Sequence, residues 1–459
     1  MKGSIENYNK KKEKLIKELS QIKENVSLKK TSSNLFRFRK QNTNRLDVKD
    51  FNKVINIDTK NLIAEVEGMT TYFDLVNETL KYNLMPTVVP ELKSITIGGA
   101  TTGIGIESSS FKYGFVHETI TELEILLSNG KTIICTKDNE YKDLFYGFPN
   151  SYGTFGYVLK LKVKLVEVKK YVGLKHIKYN NQEKYFKEIE NLCNAKKYDF
   201  IDGTIFNENE MYITTGKFVN YAPFLSNYEY MDIYYKSIRK NKVDYLSILD
   251  YIWRWDTDWF WCSKHFLMQN KFFRLLLGKF TLKSTFYWKV MALNRKYKLT
   301  DKFKFSKEKT ETVIQDVEIP VENCVNFLNF FHKEIGIKPI WICPVKSHNR
   351  NVKYSLYTIN PNKVYINFGF WDIVKNSKYE GYYNRKIESK VKELKGKKSL
   401  YSTSYYSEEE FWELYNKKEY VKLKNKYDNL HKFKDLYQKC VKHKEKTYKV
   451  IRAIKSNNL

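Results

Sequence analysis

Glycine is distributed very unevenly along this chain. Nine of its 19 glycines lie in residues 98–156, and four of them, Gly98, Gly99, Gly103 and Gly105, occur within the short run ITIGGATTGIGIESSS. Glycine is used where φ must be positive or where another group must approach the backbone closely. Whatever fold the protein adopts must therefore contain tight turns or a cradle of closely approached backbone at this point.

The segment Pro90–Ser110, the first glycine segment, has the composition of an anion-binding cradle. Without Cβ atoms in the way, successive N–H groups can converge on an anion, and hydroxyl side chains stand beside them. These are Thr96, Thr101, Thr102, Ser108, Ser109 and Ser110. The spacing is neither G-x-G-x-x-G nor a Walker loop, because no third glycine and no Gly-Lys-Ser/Thr follows. The pattern predicts a phosphate-bearing ligand; the alternative interpretation is a glycine-rich turn between two strands.

Two further segments fit such a site. SYGTFG at 151–156, the second glycine loop, leads directly into the alternating sequence YVLKLKVKLVEV, which is typical of a half-buried strand. Two glycine loops beside short strands can hold one ligand from both sides. KKTSSN at 29–34 has consecutive hydroxyl residues and is a weaker candidate for a second phosphate contact, since it contains no glycine.

Composition narrows the class of protein. A sequence of 459 residues with 42% apolar and 16% aromatic residues can form two or three globular domains. The net charge of +29 would attract polyanions, but it comes mostly from dispersed lysines. No arginine-rich helix or RNA-binding signature accompanies it, so nucleic acid is not a predicted partner. Six well-separated cysteines without a C-x-x-C pair predict neither a metal site nor a disulfide framework.

The sequence also predicts where in the cell the protein is found. No signal-peptide pattern and no run of 18 uncharged apolar residues is present, which predicts a protein on the cytoplasmic side, soluble or peripherally membrane-associated.

Short strands alternate with helices along the sequence, which indicates an α+β fold. Ser128-Asn-Gly130 predicts a hairpin. Ser407-Glu-Glu-Glu410 predicts a capping box ahead of the helix FWELYNKKEYVKLKNKY.

One segment is unusually aromatic. Residues 253–288 contain five of the eight tryptophans, together with Lys264, Lys271, Arg274 and Lys279. They form either a domain core or the wall of a large apolar pocket, and both interpretations stay open. With the basic helix that we predict at 10–24, the segment also suggests reversible, salt-sensitive contact with an anionic membrane.

Several runs of sequence resemble one known family. ITIGGATTGIGIESSSFKYG, with PTVVPEL before it and DLFYGFPNSYGTFGYVLKLKVKLVEVKKYV after it, is similar to the flavin domain of the Δ24-sterol reductase (seladin/Diminuto) family. That family lies within the FAD-linked oxidases of the vanillyl-alcohol-oxidase and p-cresol-methylhydroxylase type. IDGTIFNENEMYITTG, VIQDVEIPV, KPIWICP and YSTSYYSEEEFWELYNKKEYVKL resemble later blocks of the family in the same order, so the resemblance covers residues 54–442. Members of the family from animals and plants carry an N-terminal membrane anchor, whereas this sequence begins at the helix that would follow it.

The resemblance implies a two-domain fold with bound FAD. It implies an FAD-binding domain at 1–170, a substrate or cap domain at 171–370, and a C-terminal helical segment with a basic tail at 371–459. The residues that it assigns to FAD are Thr96, Ile97, Gly98, Gly99, Ala100, Thr101, Thr102, Gly103, Ile104, Gly105, Ile106, Glu107, Ser108, Gly153 and Gly156. No residue stands in the covalent-linkage pattern of the wider group, so the FAD is predicted to be non-covalent. Valine at Gly103 or Gly105 is expected to exclude it while the fold largely survives.

The implied activity is reduction of a double bond in the aliphatic tail of a sterol or similar lipid, with NADPH as the donor. Tyr401 and Tyr405 are the candidate proton donors, and packed core tyrosines are the alternative. His117 could contact the flavin or lie on the surface. Two other functions stay open: an FAD-linked oxidase or dehydrogenase of another lipid or alcohol, and a non-catalytic basic binding protein on a flavin fold.

Overall fold

A computed structural model describes residues 2–37, 44–297 and 309–441 of the protein. The basic tail predicted from residue 442 lies outside the described residues. Helices and two large sheets confirm the predicted α+β fold. Each of these sheets is antiparallel throughout, and one large cavity lies between the two.

The first sheet is built from the N-terminal third of the sequence. Its strands are, in spatial order, Val54–Asp58, Ile63–Glu67, Tyr157–Glu167, Ile120–Leu126 and Thr132–Cys135, with Leu84–Pro86 pairing separately to Tyr157–Glu167. The strand Tyr157–Glu167 alternates buried and less buried residues, as its sequence predicts. The predicted hairpin is present: Leu126 pairs with Thr132, and Gly130 takes a left-handed φ of 84° in the turn.

The N-terminal helix packs against this sheet. It spans Lys2–Gln21, longer than predicted, and buries Tyr8, Leu15 and Leu19. Lys12 lies 2.8 Å from the Glu124 carboxylate on the sheet. The apolar stripe of the helix is therefore used in the core, which leaves its exposed lysines as the part that could attract a membrane.

The second sheet has eight strands. Their spatial order is Val243–Ser247, Tyr171–Tyr179, Glu210–Val219, Phe200–Asn207, Ile340–Val345, Tyr365–Lys375, Thr310–Pro320 and Lys397–Lys398. The predicted boundary at 370 falls inside the continuous strand Tyr365–Lys375, because that strand pairs with Thr310–Pro320 along its whole length. The division of the sequence into three segments otherwise stays a prediction.

The two faces of the second sheet have different surroundings: one packs on helices and the other borders the cavity. One face packs on the helices Gln182–Ala195, Cys324–Glu334 and Tyr382–Glu393 in a core that includes Val313, Val317 and Ile319. The alternate residues of the same strand, Thr312, Ile314, Asp316 and Glu318, line the cavity. Since strand side chains alternate between faces, a single strand supplies both the core and the cavity wall.

The remaining helices are short and mostly capped. They are Tyr72–Leu80, Ile97–Thr102, Ser110–Tyr113, Lys142–Gly147, Tyr234–Ser237, Ile248–Ile252, Lys271–Leu277, Ser284–Tyr297, Glu408–Leu414, Lys417–Tyr427 and Leu436–Cys440. The capping box is present, with Ser407 and Glu410 each bonding the other's backbone N–H. The single helix predicted after it is two helices, because Asn416 adopts a left-handed conformation and caps the second one.

Candidate functional site

The cavity between the sheets has a volume of about 2290 Å³. Both glycine segments border it from the first sheet, and residues of the second sheet and of the segment 399–439 form the opposite walls. It is large enough for a dinucleotide together with a lipid-sized molecule, since single-ligand pockets are commonly about 300–1000 Å³.

The first glycine segment forms a short helix at the cavity edge. Thr96 caps the helix Ile97–Thr102 by accepting from Gly99 N, and Gly98 N donates to Gly68 O over 3.0 Å. A Cβ on Gly98 would lie 2.6 Å from Gly68 O, so this glycine is needed for the helix to approach the sheet. The exposed Gly99 faces the cavity, where a Cβ would meet the Thr96 hydroxyl at 2.9 Å.

The helix ends in a Schellman-type turn. Gly103 N and Gly105 N both donate to Ala100 O, and Ile104 between them takes a φ of 61°. The left-handed position thus falls on a β-branched residue rather than on a glycine, a strained arrangement that is found mostly at functional sites. A Cβ on Gly105 would lie 2.8 Å from Val116 Cγ2. Valine at 105 would therefore damage packing, contrary to the expectation that the fold would largely survive.

Most residues that the resemblance assigns to FAD border the cavity. Of the thirteen in residues 96–108, ten line it. The other three are turned into the protein: Ile97 lies in the core, the Thr101 hydroxyl donates to Ile97 O, and the Ser108 hydroxyl lies 2.9 Å from Tyr251 Oη. These three would support the cradle rather than contact a ligand.

The second glycine loop meets the first directly. Gly153 and Gly156 line the cavity, and Tyr152 N donates to Thr102 O over 3.4 Å. Tyr152 and Gly153 both have positive φ, of 50° and 73°. Two consecutive left-handed residues turn the backbone sharply, and this places the loop beside the helix Ile97–Thr102.

A buried arginine that sequence reasoning missed lies at the same place. Arg37 lines the cavity, its guanidinium lies 5.1 Å from the Tyr152 ring centroid, and its Nη1 donates to Lys439 O. Its Nε and Nη2 have no partner among the described residues. A buried cation with free donors suits an anion or a carbonyl-rich ring. Arg37 lies 61 residues before Gly98, and no pattern in the sequence connects them.

The predicted second phosphate contact also reaches the cavity. Lys30, Ser32, Ser33 and Asn34 all line it. The Ser33 hydroxyl has no partner in the described part of the protein, whereas Ser32 donates to Ser94 O. Together with Arg37 and the exposed helix start at Gly99, these donors fit a bound FAD.

A buried ion cluster fixes the first glycine segment to the second sheet. Arg254 lies 2.5 Å from Glu91, 3.0 Å from Glu107 and 2.9 Å from Asp202. Glu91 and Glu107 belong to the first glycine segment, and Asp202 lies on the strand Phe200–Asn207. Burial raises the pKa of Glu91 well above its usual range, against the opposing charge of Arg254. One cation therefore joins the cradle to the second sheet, beside the backbone bond of 2.8 Å from Ile201 N to Ser108 O.

Tyr401 faces the cavity with a defined hydrogen-bond network. Its hydroxyl donates to Asp316 Oδ2 over 2.7 Å and accepts from Trp371 Nε1 over 3.0 Å. Asn367 Nδ2 donates to the other oxygen of Asp316 over 2.7 Å. The strand Thr310–Pro320 thus presents a carboxyl directly to the hydroxyl of a predicted proton donor.

Burial raises the pKa of both acids near Tyr401. Burial raises the pKa of Asp316 to about 6, although the bonds from Asn367 and Tyr401 oppose the shift. Burial also raises the pKa of Glu318 to about 8, with a smaller opposing effect from the Tyr357 hydroxyl. Burial, and next the Asp316 charge, raise the pKa of Tyr401, so it remains a neutral phenol. The site can store and donate protons near neutral pH.

Tyr405 has different surroundings. It also lines the cavity, but it packs on Gly381, where a Cβ would overlap its ring, and its backbone N–H donates to the Glu388 carboxylate. The structure places an acid against the hydroxyl of Tyr401 and shows no such bond for Tyr405 among the described residues.

The tryptophan-rich segment forms both a core and a wall. Trp253, Trp255 and Trp261 are buried, whereas Trp259 and Trp288 line the cavity with Phe260, Trp341 and Trp371. Both open interpretations are therefore partly right. The buried tryptophans are unavailable as membrane anchors.

His117 is neither at the cavity nor on the surface, since it is buried against Phe115 and Tyr354.

Comparison with known proteins also indicates an FAD-binding domain. A model of the FAD binding domain family matches residues 13–136. The protein is 27% identical to the Delta(24)-sterol reductase of Homo sapiens over 405 residues, which cover 85% of this protein and 76% of the human one. It is 25% identical to the enzyme of that name from Arabidopsis thaliana over 454 residues, 90% of this protein and 79% of the plant one.

A third similarity is restricted to part of the sequence. Cytokinin dehydrogenase 9 of Oryza sativa subsp. japonica is 27% identical over 143 residues, 31% of this protein and 27% of that one. The long matches confirm the predicted resemblance, and with the FAD-binding domain they confirm the prediction of an FAD-dependent oxidoreductase. Within the residues that the structure describes, no helix combines the length and apolarity needed to cross a bilayer.

Proposed function

We propose that this protein reduces a double bond in the aliphatic tail of a sterol or similar lipid, with non-covalent FAD as cofactor and NADPH as electron donor. The observation that carries the proposal is the Asp316–Tyr401 hydrogen bond of 2.7 Å, which faces an apolar-walled cavity bordered by both glycine segments. The relatives that match most of the sequence bear the name of this activity.

The residues divide the cavity between cofactor and substrate. The helix start at Gly99, the loop at Gly153, Ser33 and Arg37 would hold the FAD. Trp341, Trp371 and Phe260 form an apolar wall suited to a fused-ring lipid, because burying such surface contributes about 25 cal/mol per Å². Reduced FAD supplies hydride to one carbon of an alkene, and the other carbon then requires a proton.

Tyr401 is our proton donor. When Asp316 is protonated, below pH 6, its carboxyl donates to Tyr401 Oη, so the direction of the 2.7 Å hydrogen bond reverses and the phenol proton is free to pass to the carbon. Asp316 then passes its own proton to the phenolate oxygen along the same hydrogen bond and is reprotonated from solvent. Trp371 Nε1 donates to the same Oη over 3.0 Å and stabilises the phenolate that forms. The flanking Asn367 holds the Asp316 carboxyl in place. Tyr405, whose hydroxyl has no acid partner among the described residues, is assigned no proton.

The residues near the cavity also favour non-covalent FAD. Burial raises the pKa of the Cys262 thiol to about 12, which keeps it protonated and a poor nucleophile. His265 Nε2 lies 3.0 Å from Asp372 and is held there. Acid precipitation should leave the yellow colour in the supernatant, whereas colour in the pellet would contradict non-covalent binding.

The proposed reductase activity is tested in the absence of oxygen. Purified protein should show a flavin spectrum that NADPH bleaches and that a Δ24-unsaturated sterol restores, with the saturated sterol found by mass spectrometry. A bleached flavin that only oxygen restores would favour an oxidase or dehydrogenase instead. Absence of any flavin would support the alternative of a non-catalytic binding protein.

Contact with an anionic membrane is also part of the proposal, because a sterol must be taken from a bilayer or a carrier.

A further inference from the structure

The helix Lys271–Leu277 presents an apolar surface to solvent. Its only buried side chain is Arg274, while Phe272, Leu275, Leu276 and Leu277, with Phe280 in the following turn, are between 48% and 71% exposed. These five residues are the docking patch. Surface helices of globular proteins normally bury the apolar face and expose the charged one. The pattern here is the reverse.

Specific bonds hold the helix in this orientation. Arg274 makes an ion pair with the buried Asp258, and its Nε donates to Met268 O over 2.7 Å. Asn270 caps the helix start by accepting from Phe272 N over 2.9 Å. Rotating the leucines inward would require Arg274 to leave the buried Asp258 carboxylate without its cation, which is strongly unfavourable. The exposure of the docking patch is therefore built into the fold.

The charged residues of the segment that carries the docking patch are all basic. Residues 259–300 contain no Asp or Glu, whereas Lys271, Lys279 and Lys283 lie within or beside the patch. An apolar surface on a segment whose charges are all basic suits an interface that is anionic outside and apolar beneath. A symmetric dimer through this patch would instead place lysines against lysines, which opposes association.

The docking patch is continuous with the cavity. The turn Lys279–Leu282 leads into the helix Ser284–Tyr297, whose Trp288, Val290 and Leu293 line the cavity. Leu293 is also exposed, as is Phe286, which lies seven residues earlier and on the same helix face. An apolar path therefore runs along this helix from the patch to the cavity wall.

We infer that the docking patch inserts into the surface of an anionic phospholipid bilayer and places the cavity mouth at the membrane. The partner is the lipid surface itself. The inference deepens the proposed function and rests on it for one point only, that the molecule passing from the bilayer into the cavity is the lipid substrate. Membrane binding by the patch can be measured whether or not that point holds.

The test compares two matched variants of the full-length protein. The patch variant carries Phe272→Glu, Leu275→Glu and Leu276→Glu, and the control carries Ile134→Glu, Val421→Glu and Leu430→Glu at three other exposed apolar positions, so both gain the same charge. Flotation uses vesicles of phosphatidylcholine with or without phosphatidylserine, at low and high salt. Thermal melting and the flavin spectrum of each protein establish that the variants fold.

The wild type and the control should float with the phosphatidylserine vesicles at low salt, less so at high salt, and the patch variant should bind about tenfold more weakly or worse. Equal flotation of wild type and patch variant would overturn the inference, as would negligible flotation of the wild type. A dimer in sedimentation that the patch variant abolishes would assign the patch to self-association and also overturn it. Turnover of detergent-dispersed substrate separates the two proposals: if it persists in the patch variant, only docking has been lost.

Discussion

The hydroxyl of Tyr401 has a partner on each side, an acid that accepts its proton and an indole that donates to its oxygen. Replacing Tyr401 by Phe removes the proton but keeps the ring. We expect turnover to fall about a hundredfold or more, because general acids typically contribute about 10² to 10⁴. The measurement is kcat with saturating substrate. Tyr405→Phe is the matched control, and a larger loss in that variant would reassign the proton donor.

The pH profile tests Asp316. Its pKa of about 6 means that it holds a proton below pH 6 and loses it above, and the resulting charge raises the pKa of Tyr401 further. Turnover should therefore decline as pH rises through 6. In Asp316→Asn this decline should disappear, while the rate at pH 5 stays low because Asn cannot return a proton. An unchanged alkaline limb in that variant would show that another group titrates.

At the level of elements, glycines in and just after the short helix Ile97–Thr102 have two different roles. Gly99 borders the cavity, whereas Gly105 is needed for close packing. Gly99→Leu directs a side chain into the cavity, where its Cβ would meet the Thr96 hydroxyl at 2.9 Å; the cap must shift slightly, but no core contact of the helix is disturbed. We expect FAD affinity to fall about tenfold or more, while the unfolding free energy changes by less than about 1 kcal/mol. Fluorescence titration of the deflavinated protein and urea unfolding measure the two effects.

Gly105→Val should behave differently. Its side chain would meet Val116, Ala100 and Pro90, so we expect a loss of about 1 to 3 kcal/mol in stability from overpacking. Flavin content would then decline as a consequence of unfolding. A stable Gly105→Val protein that has lost its flavin would show that Gly105, and not Gly99, is the position approached by the cofactor.

Local elements were predictable because their signals are local. The Asn129-Gly130 turn and the Ser407–Glu410 capping box depend on residues within three positions of each other, and both are present. The Asp316–Tyr401 bond joins residues 85 positions apart, and a sequence pattern cannot pair them. The left-handed position at Ile104 was missed for another reason: residue preference assigns such a conformation to a glycine, whereas tertiary packing imposed it on an isoleucine.

At the scale of the whole molecule, Arg254 joins the first glycine segment to the second sheet. Arg254→Gln leaves Glu91, Glu107 and Asp202 buried without a cation, which should cost about 3 to 5 kcal/mol at pH 8. Arg239→Gln is the control, because its pair with Glu210 is half exposed and contributes about 1 kcal/mol or less.

The pH dependence of that loss can be worked out from the carboxyl groups. Burial raises the folded-state pKa of Glu91 and of Asp202, so the stability associated with their protonation is present at low pH and is lost as pH rises. Without Arg254 both pKa values rise further. The loss of stability in Arg254→Gln, measured by thermal melting, should therefore be smaller at pH 5 than at pH 8. A constant deficit would mean that lost packing, and not unpaired charge, causes it.

Residues 36–37 and the C-terminal part of the described sequence meet at the cavity. Phe36 N donates to Tyr401 O, Arg37 to Lys439 O, and Lys439 to Tyr152 O. During synthesis the glycine segments leave the ribosome first, and the residues that close the cavity follow roughly tens of seconds later. In that interval the cradle can exist while one wall is still missing. We therefore expect stable retention of the cofactor once the residues near Tyr401 and Lys439 have been made and have closed the cavity.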